Sequence, residues 1–311
     1  SGFRYALERS EVYDRRAGNS SNYFFDGLSF AESIGYVAFS ATAGSTFSTV
    51  GNLNVRFEAW TAVNAVKGWN DGCNQLVFNN AFSSAPIALA SKVSRRDADG
   101  GWLRQCQLSN SSIGLLIDED TAQDNERSNG GESVSLVAFS QPFVYDSDVR
   151  PPEAEPLMLE SRSVTVRPGM YTRVAFEQVY PSPPAVFVLG DDNNPEPSSV
   201  RIRQITEEGF DIASVEPPSR YGDLANQSTT VHYLAVTYGQ HRFPDGTQLE
   251  VGQLPLQAYQ GRSVSGAGWA RLNFLTTFSA APAFISSIQS MENETAAPGG
   301  RSTPWLTMAH D

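Results

Sequence analysis

The sequence predicts an all-β fold made of three tandem β-sandwich units, one of them split between the two termini. Short alternating runs such as SVSLVAF, TVHYLAV and VRIRQI are typical of half-buried strands. Turn-forming clusters such as DADGG, DDNNPEP and PDGT separate these runs, and no long stretch has helical periodicity. An internal repeat, the third observation, sets the number of units.

The repeat is clearest in one segment that occurs three times. CNQLVFNNAFSSAPIALAS begins at Cys73, YTRVAFEQVYPSPPAVFVL at Tyr171 and WARLNFLTTFSAAPAFISS at Trp269. Each copy has an anchor phenylalanine, and the three anchors are 98 residues apart: Phe78, Phe176 and Phe274. A proline follows each anchor eight residues later and favours an extended backbone at the start of the next strand.

The elements of a unit follow in a fixed order. A first core strand ends at the anchor phenylalanine, an aromatic residue marks the bend, and the proline opens a second strand. A further strand leads to a Gly-Phe turn that re-enters the core, and a strand with a central alanine comes last. The bends are Phe82, Tyr180 and Phe278, and the alanines are Ala38, Ala138 and Ala235. Five to seven such strands in about 100 residues match a β-sandwich.

One unit is divided between the chain ends. Joining LTMAHD to SGFRYALERSE gives a run that aligns without a gap to IRQITEEGFDIASVEPP, with His310 opposite Thr206 and Gly2 opposite Gly209. The units are therefore 53–150, 151–252, and 253–311 plus 1–52. The split unit is completed in cis, by a neighbouring subunit, or by a tandem copy. The gapless join and the missing initiator methionine favour the last two, in which copies are joined head-to-tail.

The charge limits the partners. The net charge is −12, and Lys67 and Lys92 are the only lysines. An acidic, lysine-poor surface argues against nucleic acid and anionic membranes. No run of eighteen apolar residues occurs, so we expect no membrane insertion.

Cys73 and Cys106 are 33 residues apart within one unit. A disulfide between them would suit an oxidising, extracellular compartment, and two free buried thiols are the alternative.

A family resemblance rests on the order V-x-F, aromatic, x-x-P-x-V, R-I-x-x-I-T-x-x-G-F and Y-L-A-V, which is most complete in 157–252. This order resembles the H-type lectin domain, and more so the lectin-like repeats of MshQ-type bacterial surface proteins. The resemblance implies a sandwich fold, an extracellular or cell-surface location, self-association as trimers, and binding of N-acetylgalactosamine-type glycans. No sugar-contacting residue of the family is matched in this chain.

Catalysis has little support, because His232, His241 and His310 lie in different parts of the repeats and His232 is expected on a solvent-facing strand position. Four acidic loop residues could hold calcium, the one cofactor considered, although Asp is also a common turn former: Asp97, Asp99, Asp191 and Asp192.

Aromatic residues are the remaining site candidates. Four could stack on a sugar ring, with core packing as the alternative: Trp60, Trp69, Trp102 and Tyr221. The termini and the long 12–30 insertion are predicted to form an inter-unit or inter-subunit interface through Ser1, Gly2, Phe3, Tyr13, Arg15, Arg16, Tyr23, Phe24, Phe25, Trp305 and Asp311. The sequence thus favours a non-enzymatic extracellular structural or adhesive repeat protein that binds itself, and the alternative is a secreted carbohydrate-binding lectin.

Overall fold

The protein is all-β in a computed structural model of the chain. The structure describes residues 2–9, 28–49, 51, 53–97, 100–121, 125–147, 156–167, 169–191, 196–217, 228–260, 268–294 and 306–310. These residues contain no α-helix, and their single helical turn is the 3-10 turn Trp69–Asp71. This confirms the predicted fold class.

The described residues form 22 strands. In chain order they are β1 (Gly2–Arg9), β2 (Glu32–Phe39), β3 (Thr42–Ser48), β4 (Asn54–Val66), β5 (Asn74–Val77), β6 (Ile87–Lys92), β7 (Trp102–Leu108), β8 (Ser112–Asp118), β9 (Glu132–Phe139), β10 (Phe143–Asp146), β11 (Met158–Val166), β12 (Thr172–Ala175), β13 (Ala185–Gly190), β14 (Ser199–Thr206), β15 (Gly209–Val215), β16 (Thr229–Val236), β17 (Gly239–Arg242), β18 (Gln248–Leu256), β19 (Tyr259–Gln260), β20 (Ala270–Asn273), β21 (Ala283–Ile288) and β22 (Leu306–His310).

The strands form six sheets, which pair into three sandwiches. Sandwich one joins β17-β18-β2-β21 to a sheet in which β1 is flanked by β19 and β20 on one side and by β22 on the other. Sandwich two joins β3-β4-β9-β6 to β5-β8-β7, and sandwich three joins β10-β11-β16-β13 to β12-β15-β14. Apolar side chains fill the space between the two sheets of a sandwich, as Val174, Phe210 and Tyr233 do in sandwich three.

The anchor phenylalanine occupies the same environment in all three sandwiches. Its ring meets the ring at the predicted bend edge-on, at 5.0 Å in Phe78–Phe82, 5.0 Å in Phe176–Tyr180 and 5.3 Å in Phe274–Phe278. The Gly-Phe turns also correspond, because a Cβ at Gly2 or Gly209 would overlap a carbonyl oxygen of the neighbouring strand. The repeat therefore preserves packing as well as sequence.

A buried glutamate on the first long strand of each sandwich (β4, β11 and β18) is a further repeated feature, which was not predicted. Glu58, Glu160 and Glu250 lie opposite the three repeated alanines and are at most 2 % exposed. Each carboxylate accepts the backbone N–H of the residue after the anchor phenylalanine, at 3.0–3.2 Å. The glutamate thereby fixes the chain where it leaves the first core strand. The signal was present as F-E, L-E and L-E at corresponding positions.

Strand pairing divides the chain slightly before the expected boundaries. Strands β3, β10 and β17 precede residues 53, 151 and 253, yet each pairs with the first long strand of the following sandwich. None of the repeated residues lies on β3, β10 or β17, so the repeat could not assign these short edge strands.

The two ends of the chain meet in sandwich one. Strand β1 pairs antiparallel with β22 of the same chain, with Tyr5 opposite His310. In sandwich three the corresponding pair is Ile212 opposite Ile202, so His310 matches Ile202 rather than Thr206, four positions further on. The gapless alignment is therefore wrong in register. A β-bulge between Arg203 and Thr206 shifts the pairing in sandwich three by one residue and so explains one of these four positions.

Strands β2, β9 and β16, one in each sandwich, are buried on both faces. All eight residues of β9 are buried, and so are seven of the eight residues of β2. Tyr36 faces the interior of sandwich one, whereas Val37 and Phe39 pack in a cluster with residues of sandwiches two and three. The prediction of half-buried strands is thus wrong for SVSLVAF and TVHYLAV, because a central core replaces solvent on their second face.

Candidate functional site at the junction of the sandwiches

The three sandwiches meet along one axis. The strands opened by the repeated prolines, β6, β13 and β21, are edge strands of their sheets, and each packs against the other two. An edge strand has unpaired N–H and C=O groups that need other partners when they are buried. The junction supplies these partners from side chains.

Each edge strand is capped by a polar side chain of a neighbouring sandwich. The Nδ1 atom of His232 accepts the N–H of Ala88 at 3.1 Å. The Gln289 amide accepts the N–H of Val186 at 2.9 Å and donates to its carbonyl at 2.6 Å. The Ser91 hydroxyl accepts the N–H of Ser286 at 3.0 Å and donates to its carbonyl at 3.1 Å. A side chain of sandwich three thus caps the edge strand of sandwich two. In the same way, sandwich one caps sandwich three and sandwich two caps sandwich one.

A buried cluster of three charges joins sandwiches one and two. Glu8 of β1 is fully buried and accepts the Lys92 ammonium at 2.5 Å and the Arg95 guanidinium at 2.6 Å. Removing one partner of such a cluster would leave a charge in a poorly solvated site. One of the two lysines of the chain is therefore at an internal contact.

Arg201 joins sandwiches three and one. Its guanidinium donates to both carboxylate oxygens of Glu294, at 2.7 and 3.0 Å, and to the Leu306 carbonyl at 3.0 Å. This two-bond contact fixes orientation as well as charge.

Sandwiches two and three are joined by Trp102 and Arg104 of β7. The Trp102 indole donates to the Ser198 carbonyl at 2.7 Å, and Arg104 donates to the Glu196 carbonyl at 3.0 Å. Arg104 also pairs with Asp118 within sandwich two. Each of the three pairs of sandwiches is therefore joined by at least one buried cation.

One end of the axis is apolar. Seven aromatic rings from all three sandwiches pack there, with Phe47 4.9 Å from Phe243 and 5.1 Å from Phe143. The members are Phe39, Phe47, Phe57, Phe139, Phe143, Tyr145 and Phe243.

The other part of the axis contains a polar cavity of about 140 Å³. Residues of β6, β13 and β21 line it together with residues of β7, β14 and β22, so all three sandwiches contribute. We call this space the axial cavity.

The surroundings of all three histidines favour the neutral imidazole. His232 is 7 % exposed, which corrects the expected solvent-facing position, and burial lowers its pKa. Burial, aided by the Lys92 charge, lowers the pKa of His310 to about 3, and burial also lowers that of His241. His232 caps a strand, and its side chain was misread because its strand is buried on both faces.

A groove between sandwiches one and two contains Trp60. It encloses about 560 Å³ and is lined by Trp60, Phe274 and Pro282, with the hydroxyl-bearing residues Thr61 and Ser135 beside them. Among the sugar-stacking candidates that the structure describes, Trp60 is the one that lies in such a groove.

Trp69 and Trp102 lie elsewhere. Trp69 is half-buried, and its ring carries the Arg127 guanidinium at 3.9 Å. Trp102 is 6 % exposed and belongs to the contact described above, which fits the core-packing alternative. Tyr221 lies outside the described residues.

Cys73 and Cys106 form a disulfide across the outer face of the sheet β5-β8-β7. The bridge passes over Gly114 of β8, where a Cβ would overlap the Cys73 sulfur. A glycine is therefore required at this position.

The calcium candidates are not brought together. Asp97 accepts the N–H of Gly130 at 3.2 Å, and Asp191 accepts that of Thr230 at 3.0 Å. The two bonds join residues 33 and 39 positions apart in the sequence. Asp99 and Asp192 lie outside the described residues. Within the described ranges no group of three or more metal-ligating side chains occurs.

Two of the interface candidates are described. Gly2 lies on β1, and Phe3 packs inside sandwich one, 3.9 Å from Phe284. The others fall outside the described residues: Ser1, Tyr13, Arg15, Arg16, Tyr23, Phe24, Phe25, Trp305 and Asp311.

Comparisons with known proteins add no relative. No family model, no curated protein and no solved structure matches the chain. In the described part of the chain, no helix has the length and apolarity needed to cross a membrane.

Proposed function

We propose that the protein is a non-enzymatic structural or adhesive module of the cell exterior, related to H-type lectin-like or MshQ-type surface repeats. The observation that carries the proposal is the use of buried charge. Two buried ion pairs join neighbouring sandwiches, Glu8 with Lys92 and Arg201 with Glu294. Buried ion pairs of this kind favour one specific arrangement. The Cys73–Cys106 disulfide supports an oxidising compartment.

The pairing of β1 with β22 bears on assembly. Both strands belong to one chain, and their pairing supports a split unit that is completed in cis. Head-to-tail joining into a filament, stalk or fibre requires β22 to pair instead with β1 of another copy, as in domain swapping. We propose closure in cis, since the Glu8–Lys92 and Arg201–Glu294 contacts form within the same chain.

A cysteine pair tests the assembly. Ala6 and Ala309 lie directly opposite each other on β1 and β22, within the usual range for a disulfide. The double variant Ala6→Cys, Ala309→Cys is oxidised at low protein concentration and run without reductant. A fast-migrating monomer supports closure in cis. A ladder of covalent oligomers contradicts it and supports head-to-tail joining. Each single variant controls for random cross-linking.

Carbohydrate binding is the second candidate function, and the groove around Trp60 favours it. An aromatic face beside hydroxyl groups can stack on the apolar side of a pyranose and bond its hydroxyls. Calorimetric titration with N-acetylgalactosamine tests this function. Saturable binding that Trp60→Ala removes and Trp60→Phe retains would support it. Absence of binding by the unmodified chain would contradict it.

A further inference from the structure

We propose that the axial cavity is a binding site for a small oxyanion, such as a sulfate, a phosphate or a carboxylate group. The site lies where the three sandwiches meet, and His310 is the one described residue that lines both it and the Trp60 groove. Anion binding there does not depend on the proposed structural or carbohydrate-binding role.

The charges that line the axial cavity are mainly positive. Lys92, Arg104 and Arg201 belong to the lining, whereas their carboxylate partners Glu8, Asp118 and Glu294 do not. Asp191 is the one carboxylate among the described lining residues. The three cationic residues thus border the cavity, and the carboxylates with which they pair lie outside its lining.

Donors remain for a ligand at Lys92. An ammonium group has three N–H donors, and the described residues provide the Lys92 side chain with one acceptor, Glu8. Lys92 is 5 % exposed, so bulk water cannot fully satisfy the others. A buried donor without an acceptor is costly, and an oxyanion with several lone pairs would relieve this cost.

Neutral donors complete the lining. Hydroxyl-bearing residues from each sandwich border the cavity, including Ser91, Ser199 and Ser286, with the Ser91 hydroxyl already donating its one proton to the Ser286 carbonyl. His310, 2 % exposed, contacts the Ser286 hydroxyl through Nε2 at 3.1 Å, and its Nδ1 has no hydrogen-bond partner among the described residues. Hydroxyls, imidazole and ammonium are together suited to an oxygen-rich anion.

The size of the cavity fits a small anion. About 140 Å³ has room for four or five waters at about 30 Å³ each, and therefore for a five-atom oxyanion with a water beside it. A long or bulky ligand would not fit without opening the contacts between sandwiches.

Two variants change the lining in opposite directions. Asp191→Asn removes the lining carboxylate but keeps an oxygen for the Thr230 N–H, and we expect it to tighten sulfate binding several-fold. Ser287→Asp adds a carboxylate to the lining, and we expect it to weaken binding at least ten-fold. Ser163→Asp, at an exposed position of β11, is the charge-matched control and should bind sulfate like the unmodified chain.

The measurement is calorimetric titration with sodium sulfate, phosphate and acetate at constant ionic strength, with chloride as the background salt. Saturable binding of one oxyanion per chain with this order of variants supports the site. The phosphate and acetate arms then show which group is preferred. Equal responses of all variants would indicate a general salt effect and overturn the proposal. Absence of heat and of any melting-temperature shift would mean that the cavity holds water only, and would also overturn it. Asp191→Asn keeps the test decisive if Ser287→Asp does not fold.

Discussion

The cap that Gln289 places on β13 gives the sharpest prediction. Gln289→Leu keeps the size of the side chain but removes both bonds to Val186, whose main chain is then buried without partners. Each unsatisfied group costs about 1–3 kcal/mol, so the loss of both bonds should lower the free energy of unfolding by about 2–6 kcal/mol. For 311 residues this corresponds to a melting-temperature decrease of about 3–9 °C.

The assay combines thermal unfolding with hydrogen exchange read by mass spectrometry. Protection should fall first in β13, residues Ala185–Gly190, because its edge loses its cap. Gln253→Leu is the matched control, since Gln253 is exposed on β18 and the same substitution should change stability by less than about 0.5 kcal/mol. Equal melting temperatures of the two variants, with unchanged exchange in β13, would refute the capping argument.

Three further predictions concern the same contacts. His310 has a pKa of about 3 in the folded protein against 6.5 in the unfolded chain, so its contribution to the free energy of unfolding is complete above pH 6.5 and is lost as the pH falls towards 3. Chemical denaturation at a series of pH values should show a loss on the order of 3 kcal/mol at pH 4.5. A flat profile would contradict this prediction. Arg201→Ala leaves Glu294 buried without its cation and should cost about 3–5 kcal/mol, whereas the double variant Arg201→Met, Glu294→Leu should recover part of this loss in thermal unfolding. Replacing Cys73 and Cys106 by serine should lower the unfolding free energy by about 3–4 kcal/mol, and an equal stability of oxidised and reduced protein would argue against a role of the bridge.

The local features of the repeat could be predicted from the sequence. The anchor phenylalanines, the bend aromatics and the Gly-Phe turns recur because their packing needs a given ring or a missing Cβ. These requirements leave a visible residue at a constant spacing. The disulfide partners could also be chosen, since the chain has two cysteines.

The junction could not be predicted in the same way. Ser91, His232 and Gln289 perform one task in three sandwiches with three residue types at different strand positions, so no alignment reveals it. His232 occupies an outward strand position, and only the packing of the three sheets shows that this side is buried. The pairing of Glu8 with Lys92 joins distant parts of the chain and leaves no periodic signal.

Because β2, β9 and β16 are buried on both faces, the number of sandwiches in such a chain cannot change one at a time. A fragment containing one or two sandwiches would expose the face that carries Phe139 or Phe187 to water. The three edge strands at the axis, β6, β13 and β21, are already capped by one another's sandwiches, so a fourth sandwich would find no strand to cap there. We therefore expect related chains to gain or lose sandwiches in complete sets of three, and single-sandwich fragments to be soluble only when three copies associate.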